Sequence, residues 1–141
     1  MNKQSAITRL HTQEYGTLGF DPSVPCIIAT HFGFATDDEF KDLLNLGLDY
    51  AVEKKKEYSK IGWLADTLQM DGNSTAEWAA SHWNPRLLDE GIYHLSFVLP
   101  NEVFANMQIS DYVTLSPKIE TASFENIETA KGWLRESLLQ V

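Results

Sequence analysis

Apolar positions along this chain follow two alternating periods, which predict its elements in turn. Runs of strand length fall at Ser5–His11, Tyr15–Asp21, Val24–His31, Ile61–Asp66, Ile92–Leu99 and Ile119–Phe124, bounded by turn-forming residues. The first two, broken at Thr12-Gln13-Glu14, read as an antiparallel hairpin. Val24–His31 is apolar enough for a central place in a sheet. Elsewhere the period lengthens to that of a helix. Thr36-Asp37-Asp38-Glu39 is a capping box, and Phe40, Leu43, Leu44, Gly47 and Ala51 then share one face of a helix reaching about Glu57. Asp42, Asn45, Asp49, Glu53 and Lys56 take the wet face. Gly47 falls in the apolar stripe, where a missing side chain permits close approach to a sheet.

From Lys60 to Pro100 the pattern is strand, polar loop (Thr67 to Asn73), helix (Ser74 to Glu90) and strand, which suits a parallel crossover. Ser74-Thr75-Ala76-Glu77 forms a second capping box, with Ala76, Ala79, Ala80, Trp83 and Leu87 as the apolar stripe. Pro85 predicts a kink or restart after Asn84, and Gly91 a left-handed cap. Glu102–Asn106 reads as a short helical turn and Gln108–Lys118 as loop. Ile119–Phe124 reads as an edge strand. Asn126 caps a last helix with the face Ile127, Ala130, Leu134 and Leu138. The expected fold is therefore α/β: a mixed sheet with an N-terminal antiparallel hairpin, a parallel portion, and about four crossover or flanking helices. At 141 residues, residues 1–141 are expected to form a single domain.

Charge narrows the function. With a net charge of -9 and a pI near 4.8, the chain repels phosphate backbones, and no nucleic-acid partner is expected. The basic run Lys54-Lys55-Lys56 closes a helix, where cations complement exposed carbonyls. A lone cysteine, Cys26, fits a reducing compartment. No apolar stretch is long enough to span a bilayer, and Met1–Ser5 lacks a signal-peptide core, so a cytoplasmic protein without a membrane span is expected. His11, His31, His82 and His94 lack metal-ligand spacing. Cys26 and His31 lie five apart on one strand and so point to opposite faces. No metal, cofactor or catalytic set is expected.

The chain from about Cys26 to Leu138 resembles the SpoIIAA-like fold family, which groups STAS domains with CRAL-TRIO-type lipid-exchange domains, and in particular small standalone bacterial proteins of that family. The residues carrying the likeness are Thr30-His31-Phe32-Gly33-Phe34, Asp66-Thr67, Trp83-Asn84-Pro85-Arg86 and the run Gly91–Val103. The STAS branch implies a regulatory switch without enzymatic activity, in which a hydroxyl residue at a helix start is phosphorylated. Here that position is Ser74 or Thr75, although Asp71-Gly72-Asn73-Ser74-Thr75 replaces the Asp-Ser-Ser-Gly run of that branch. The lipid-exchange branch implies an apolar ligand.

The candidate sites follow. Ser74 reads first as an N-cap, with phosphorylation as the alternative. Asp66, Thr67 and Asp71 fall in the expected strand-end loop, where α/β folds gather binding residues. Trp78 and His82 leave the buried stripe of their helix, and Trp78 suggests contact with another element or subunit. Phe32, Phe34, Phe104 and Met107, near strand ends, suggest with Trp78 an apolar recess or interface. The leading expectation is a non-catalytic regulatory or protein-interaction module, expected to be a homodimer. The alternative is a carrier of a lipid or other small apolar ligand, and an enzyme using Asp66 with His82 ranks third.

Overall fold

A computed structural model of the chain describes residues 7–72 and 76–140. Its strands are β1 (Thr8–Gln13), β2 (Gly16–Asp21), β3 (Cys26–Phe34), β4 (Gly62–Gly72), β5 (His94–Val98) and β6 (Glu120–Phe124). They form one sheet in the order β1-β2-β3-β4-β5-β6. The β1, β2 and β3 ladders are antiparallel, and those from β3 to β6 are parallel. The mixed sheet with an N-terminal hairpin is thus present, and β6 is the edge strand its polar content suggested. The helices are α1 (Asp37–Lys54), α2 (Ala76–Trp78, continuing through a π-helical turn Ala79–Trp83 into Asn84–Asp89), α3 (Val103–Thr114) and α4 (Ile127–Leu139).

Strand alternation sorts the core into two layers. Ile27, Ala29, Trp63, Ala65, Leu95 and Phe97 face α1, α2 and α3, meeting Leu43, Leu44, Trp83, Leu87, Ala105 and Ile109. Cys26, Ile28, Leu64 and Val98 face the other way, onto Ala130, Leu134 and Leu138 of α4. Each fully buried aliphatic side chain contributes roughly 1.5–3 kcal/mol. The larger layer, under three helices, therefore dominates stability.

The capping signals are realised as hydrogen bonds. Thr36 Oγ1 accepts from the Glu39 amide at 3.1 Å and Glu39 accepts from the Thr36 amide at 2.9 Å. Asn126 Oδ1 accepts from the Thr129 amide at 2.9 Å. Pro85 lacks an amide hydrogen and its ring crowds the carbonyl four residues back. The helix responds by widening: the Asn84 amide donates to Ala79 O, five residues back. At the far end Gly91 (φ +78°) closes α2, with Gly91 N donating to Leu88 O and Ile92 N to Leu87 O, a Schellman cap.

Gly47 has the consequence its position suggested. A Cβ there would lie 2.4 Å from Trp63 Cη2 and 3.1 Å from Leu18 Cδ2, so α1 seats directly on the indole. Gly47→Ala is expected to destabilise the fold by about 1–3 kcal/mol, the overpacking cost exceeding the gain in helix propensity. Urea denaturation checks this: an alanine variant as stable as the parent would mean that α1 shifts freely.

Two expectations are corrected. Gln108–Lys118, expected as loop, is helical as far as Thr114. Ala105, Ile109 and Tyr112 are buried at helical spacing, while Gln108, Ser110 and Asp111 interrupt the apolar pattern between them. Glu102 starts α3 by accepting from the Phe104 and Ala105 amides at 2.7 and 3.3 Å. The second correction concerns the polar loop expected after Asp66. β4 continues to Gly72, so Asp66, Thr67 and Asp71 belong to a strand rather than to a strand-end loop. The cause is long-range: β3 itself runs on to Phe34 and pairs with β4 through Gly72. β4 bulges as it goes. Thr30 and Phe32 pair with Asp66 and Gln69, and Gly33 and Phe34 with Met70 and Gly72, so β4 carries an extra residue at two places.

Candidate functional site

The bulges decide what faces the helices. Trp63, Ala65 and Thr67 follow strand alternation onto the inner face; the extra residue then returns Met70 to that face as well. Together with β5, α1, α2 and α3 they line an apolar pocket of about 60 Å³ between sheet and helices, walled by Phe40, Trp63, Trp83, Phe97, Ile109 and Tyr112, with His31 and Thr67 among its polar members. The Trp63 and Trp83 rings meet edge-on, 4.8 Å between centroids, and Trp83 Nε1 donates to Leu44 O at 3.0 Å. These contacts hold the aromatic walls in place.

The polar groups in the wall are mostly engaged. Thr67 Oγ1 donates to Val98 O, fastening β4 to the end of β5. Tyr112 donates to Asn84 Oδ1 at 2.6 Å, Asn84 Nδ2 to Ser116 Oγ at 2.8 Å, and Ser116 Oγ back to Tyr112 O at 2.6 Å. This closed network joins α2 to α3, and it is Asn84, from the run singled out in the sequence, that makes it. His31 is 5% exposed, and its ring lies 5.5 Å from that of Phe40.

Burial holds the His31 imidazole neutral, with its pKa lowered from 6.5 to about 4. The unfolded chain binds a proton at this side chain below about pH 6.5, and the folded one only near pH 4. Stability is therefore lost as pH falls through that interval, by on the order of 3 kcal/mol in full. The His31→Leu variant is expected to lose this part of the pH dependence. Denaturation midpoints at pH 7 and pH 5 check it; parallel decline in both proteins would place the sensitivity elsewhere.

The other sequence candidates are scattered. Ser74 and Thr75 lie outside the described residues. Asp66 Oδ1 accepts from the Leu68 amide at 3.3 Å, a local turn contact within the bulge. Trp78 is half-buried against the larger core layer with the Lys41 ammonium 5.6 Å above its ring, so the element it contacts is α1. His82 is exposed beside Ser81, Nδ1 to Oγ 2.8 Å. The recess expected from Phe32, Phe34, Trp78 and Phe104 does not correspond to this pocket, which none of them lines. Phe32 follows His31 on a strand and so turns to the opposite side. Trp78 turns toward Lys41 instead. Sequence reasoning missed His31, Thr67, Met70 and Tyr112 as cavity residues; the helical spacing of Ala105, Ile109 and Tyr112 was the available signal.

Phe34, Phe104 and Met107 do come to one end of the molecule. Phe34 pairs with Gly72, whose backbone lies against the Phe104 ring. Val103, Phe104 and Met107 occupy the first turns of α3, and Leu68 shares a groove with Val103. Phe34 (70%), Val103 (72%) and Met107 (59%) are largely exposed. Carboxylates edge this apolar surface: Asp71 and Glu102 beside Leu68 and Val103, Glu77 and Asp111 beside Phe104. Among the described residues, no basic side chain lines either groove, no cluster of His, Cys, Asp and Glu could hold a metal ion, and no helix is long and apolar enough to cross a membrane.

Compared with solved structures, the chain is similar to an uncharacterised protein of the DUF3478 family with a SpoIIAA-like fold from Shewanella loihica PV-4. The TM-score is 0.53 at 16% identity, over 92% of each chain. At that identity the likeness establishes the fold, and the chain has a SpoIIAA-like fold. No family model and no curated protein matches it.

Proposed function

We propose that the domain is a non-catalytic protein-interaction module whose docking surface is the exposed apolar end formed by Phe34, Leu68, Val103, Phe104 and Met107. The observation carrying this reading is the concentration of exposed large apolar side chains there, on a chain whose remaining surface is strongly acidic. The occupant is a basic amphipathic segment of another protein. Its apolar face covers the aromatic and aliphatic groups, and its cations meet Asp71, Glu77, Glu102 and Asp111. A second copy would bring like charges together around the same surface.

The test compares wild type with Phe104→Asp. Light scattering is expected to give a monomer for both. Affinity capture from the native cell extract is expected to recover one protein with wild type only, and less of it at high salt. Equal capture by both proteins overturns the reading. So does a wild-type dimer that the substitution dissociates, which would make a second copy the occupant.

A further inference from the structure

The apolar end of the molecule holds an exposed thioether, which supports an inference resting on the reading of that end as a docking surface. We propose that Met107 is a site of reversible oxidation by hydroperoxides, and that its sulfoxide releases the docked segment. Exposure singles it out. Among the described residues, sulfur occurs in Cys26, Met70 and Met107. Cys26 is 0% exposed, and burial pushes its thiol up, away from the reactive thiolate. Met70 is 5% exposed, whereas Met107 is 59% exposed. An oxidant in solution therefore meets the Met107 sulfur well before the other two.

Position gives the reaction its consequence. Val103 and Phe104 precede Met107 by four and three residues on α3, so the three side chains share one face. A thioether is apolar and adapts to whatever covers it; the sulfoxide is polar. Covered by the apolar face of a docked segment, the sulfoxide oxygen lacks a hydrogen-bond donor, and that cost falls on the complex alone. In the step itself, with hydrogen peroxide, a sulfur lone pair attacks one peroxide oxygen. The S–O bond forms as the O–O bond breaks, and the attacked oxygen's proton passes to the departing hydroxide, which leaves as water. Sulfur gives up two electrons, which reduce the peroxide. A thiol-dependent reductase reverses the change, releasing the oxygen as water and forming a disulfide.

The experiment treats the full chain with hydrogen peroxide and probes its surface with a synthetic helical peptide, leucine on one face and lysine on the other. Peptide mapping by mass spectrometry is expected to show Met107 oxidised about tenfold faster than Met70, or more. Conversion is expected to weaken peptide binding about tenfold, the apolar burial of one methionine. Methionine sulfoxide reductases are expected to restore it. Met107→Leu, which keeps Met1 and Met70, is expected to hold the same affinity before and after peroxide. Equal weakening of both proteins overturns the proposal, as does full conversion of Met107 without loss of binding, or Met70 reacting as fast. The docking reading fails in a different way: untreated wild type and Phe104→Asp then hold the peptide equally, or not at all, and the proposal falls with it.

Discussion

Lys131→Met is expected to lower the free energy of unfolding by about 3–5 kcal/mol, because it leaves the buried Asp21 charge without its counter-charge. Lys131 Nζ lies 2.9 Å from Asp21 Oδ2, with side-chain exposures of 9% and 5%. The pair joins the end of β2 to α4 across the smaller core layer, next to Cys26, whose thiol is pushed up by burial and then by the Asp21 charge. Burial alone would raise the Asp21 carboxyl. The Lys131 ammonium and the two hydrogen bonds from Ser23, at 2.9 and 2.7 Å, outweigh it and hold the group below its ordinary value. A depressed carboxyl stabilises the folded chain above its unfolded pKa, about 3.9, and this contribution fades as pH falls through the lower folded value. In the methionine variant the uncompensated carboxylate is relieved by protonation, so its deficit should shrink in acid. The double variant Asp21→Leu with Lys131→Met should recover much of the loss, since apolar pairs often replace buried ion pairs at little cost. Denaturation at pH 7 and pH 4 measures all three. A single-variant deficit under about 1 kcal/mol at neutral pH would show that water reaches the pair.

Trp63→Ala is expected to cost a similar ~3–5 kcal/mol, toward the upper end of that range. The indole is 1% exposed on a central strand, fills the space that Gly47 leaves vacant, and stands edge-on against Trp83. The surroundings are poorly able to collapse into the gap. Trp83 is tethered to Leu44 O, and the neighbouring wall already borders the cavity. The loss should appear as a lower denaturation midpoint with an unchanged slope. Adding Gly47→Leu to the alanine variant should return part of it by refilling the gap from α1. If Trp63→Ala alone costs less than about 2 kcal/mol, the helix–sheet contact is looser than the close approach at Gly47 indicates.

The features legible in the sequence were those that local chemistry determines. Thr36 and Glu39, Asn126, Gly91 and Pro85 each act on neighbours within one or two turns, and the caps and the widened turn before Pro85 fall where they predict. Gly47 was legible because a gap in an apolar stripe has few other uses. Features dependent on distant partners were not. The run after Asp66 is polar and reads as loop; it is strand because β3 extends beside it. α3 was legible only as its first turn, Glu102–Asn106, because its later inward positions are separated by Gln108, Ser110 and Asp111. The site was sought at strand ends because doubly wound sheets open a crevice where strand order reverses. This order never reverses, so the pocket lies between sheet and helices instead. His31 and Tyr112 meet there only through the fold.

That unbroken order bears on how the chain reaches its native state. Each ladder joins strands that follow one another along the chain, so no strand has to be threaded between two already paired. Closing each successive loop costs little more than the last, and contacts at short separation speed folding. A growing chain can therefore lay down the hairpin first and add each β-α unit to the open edge, in the order in which a ribosome delivers them.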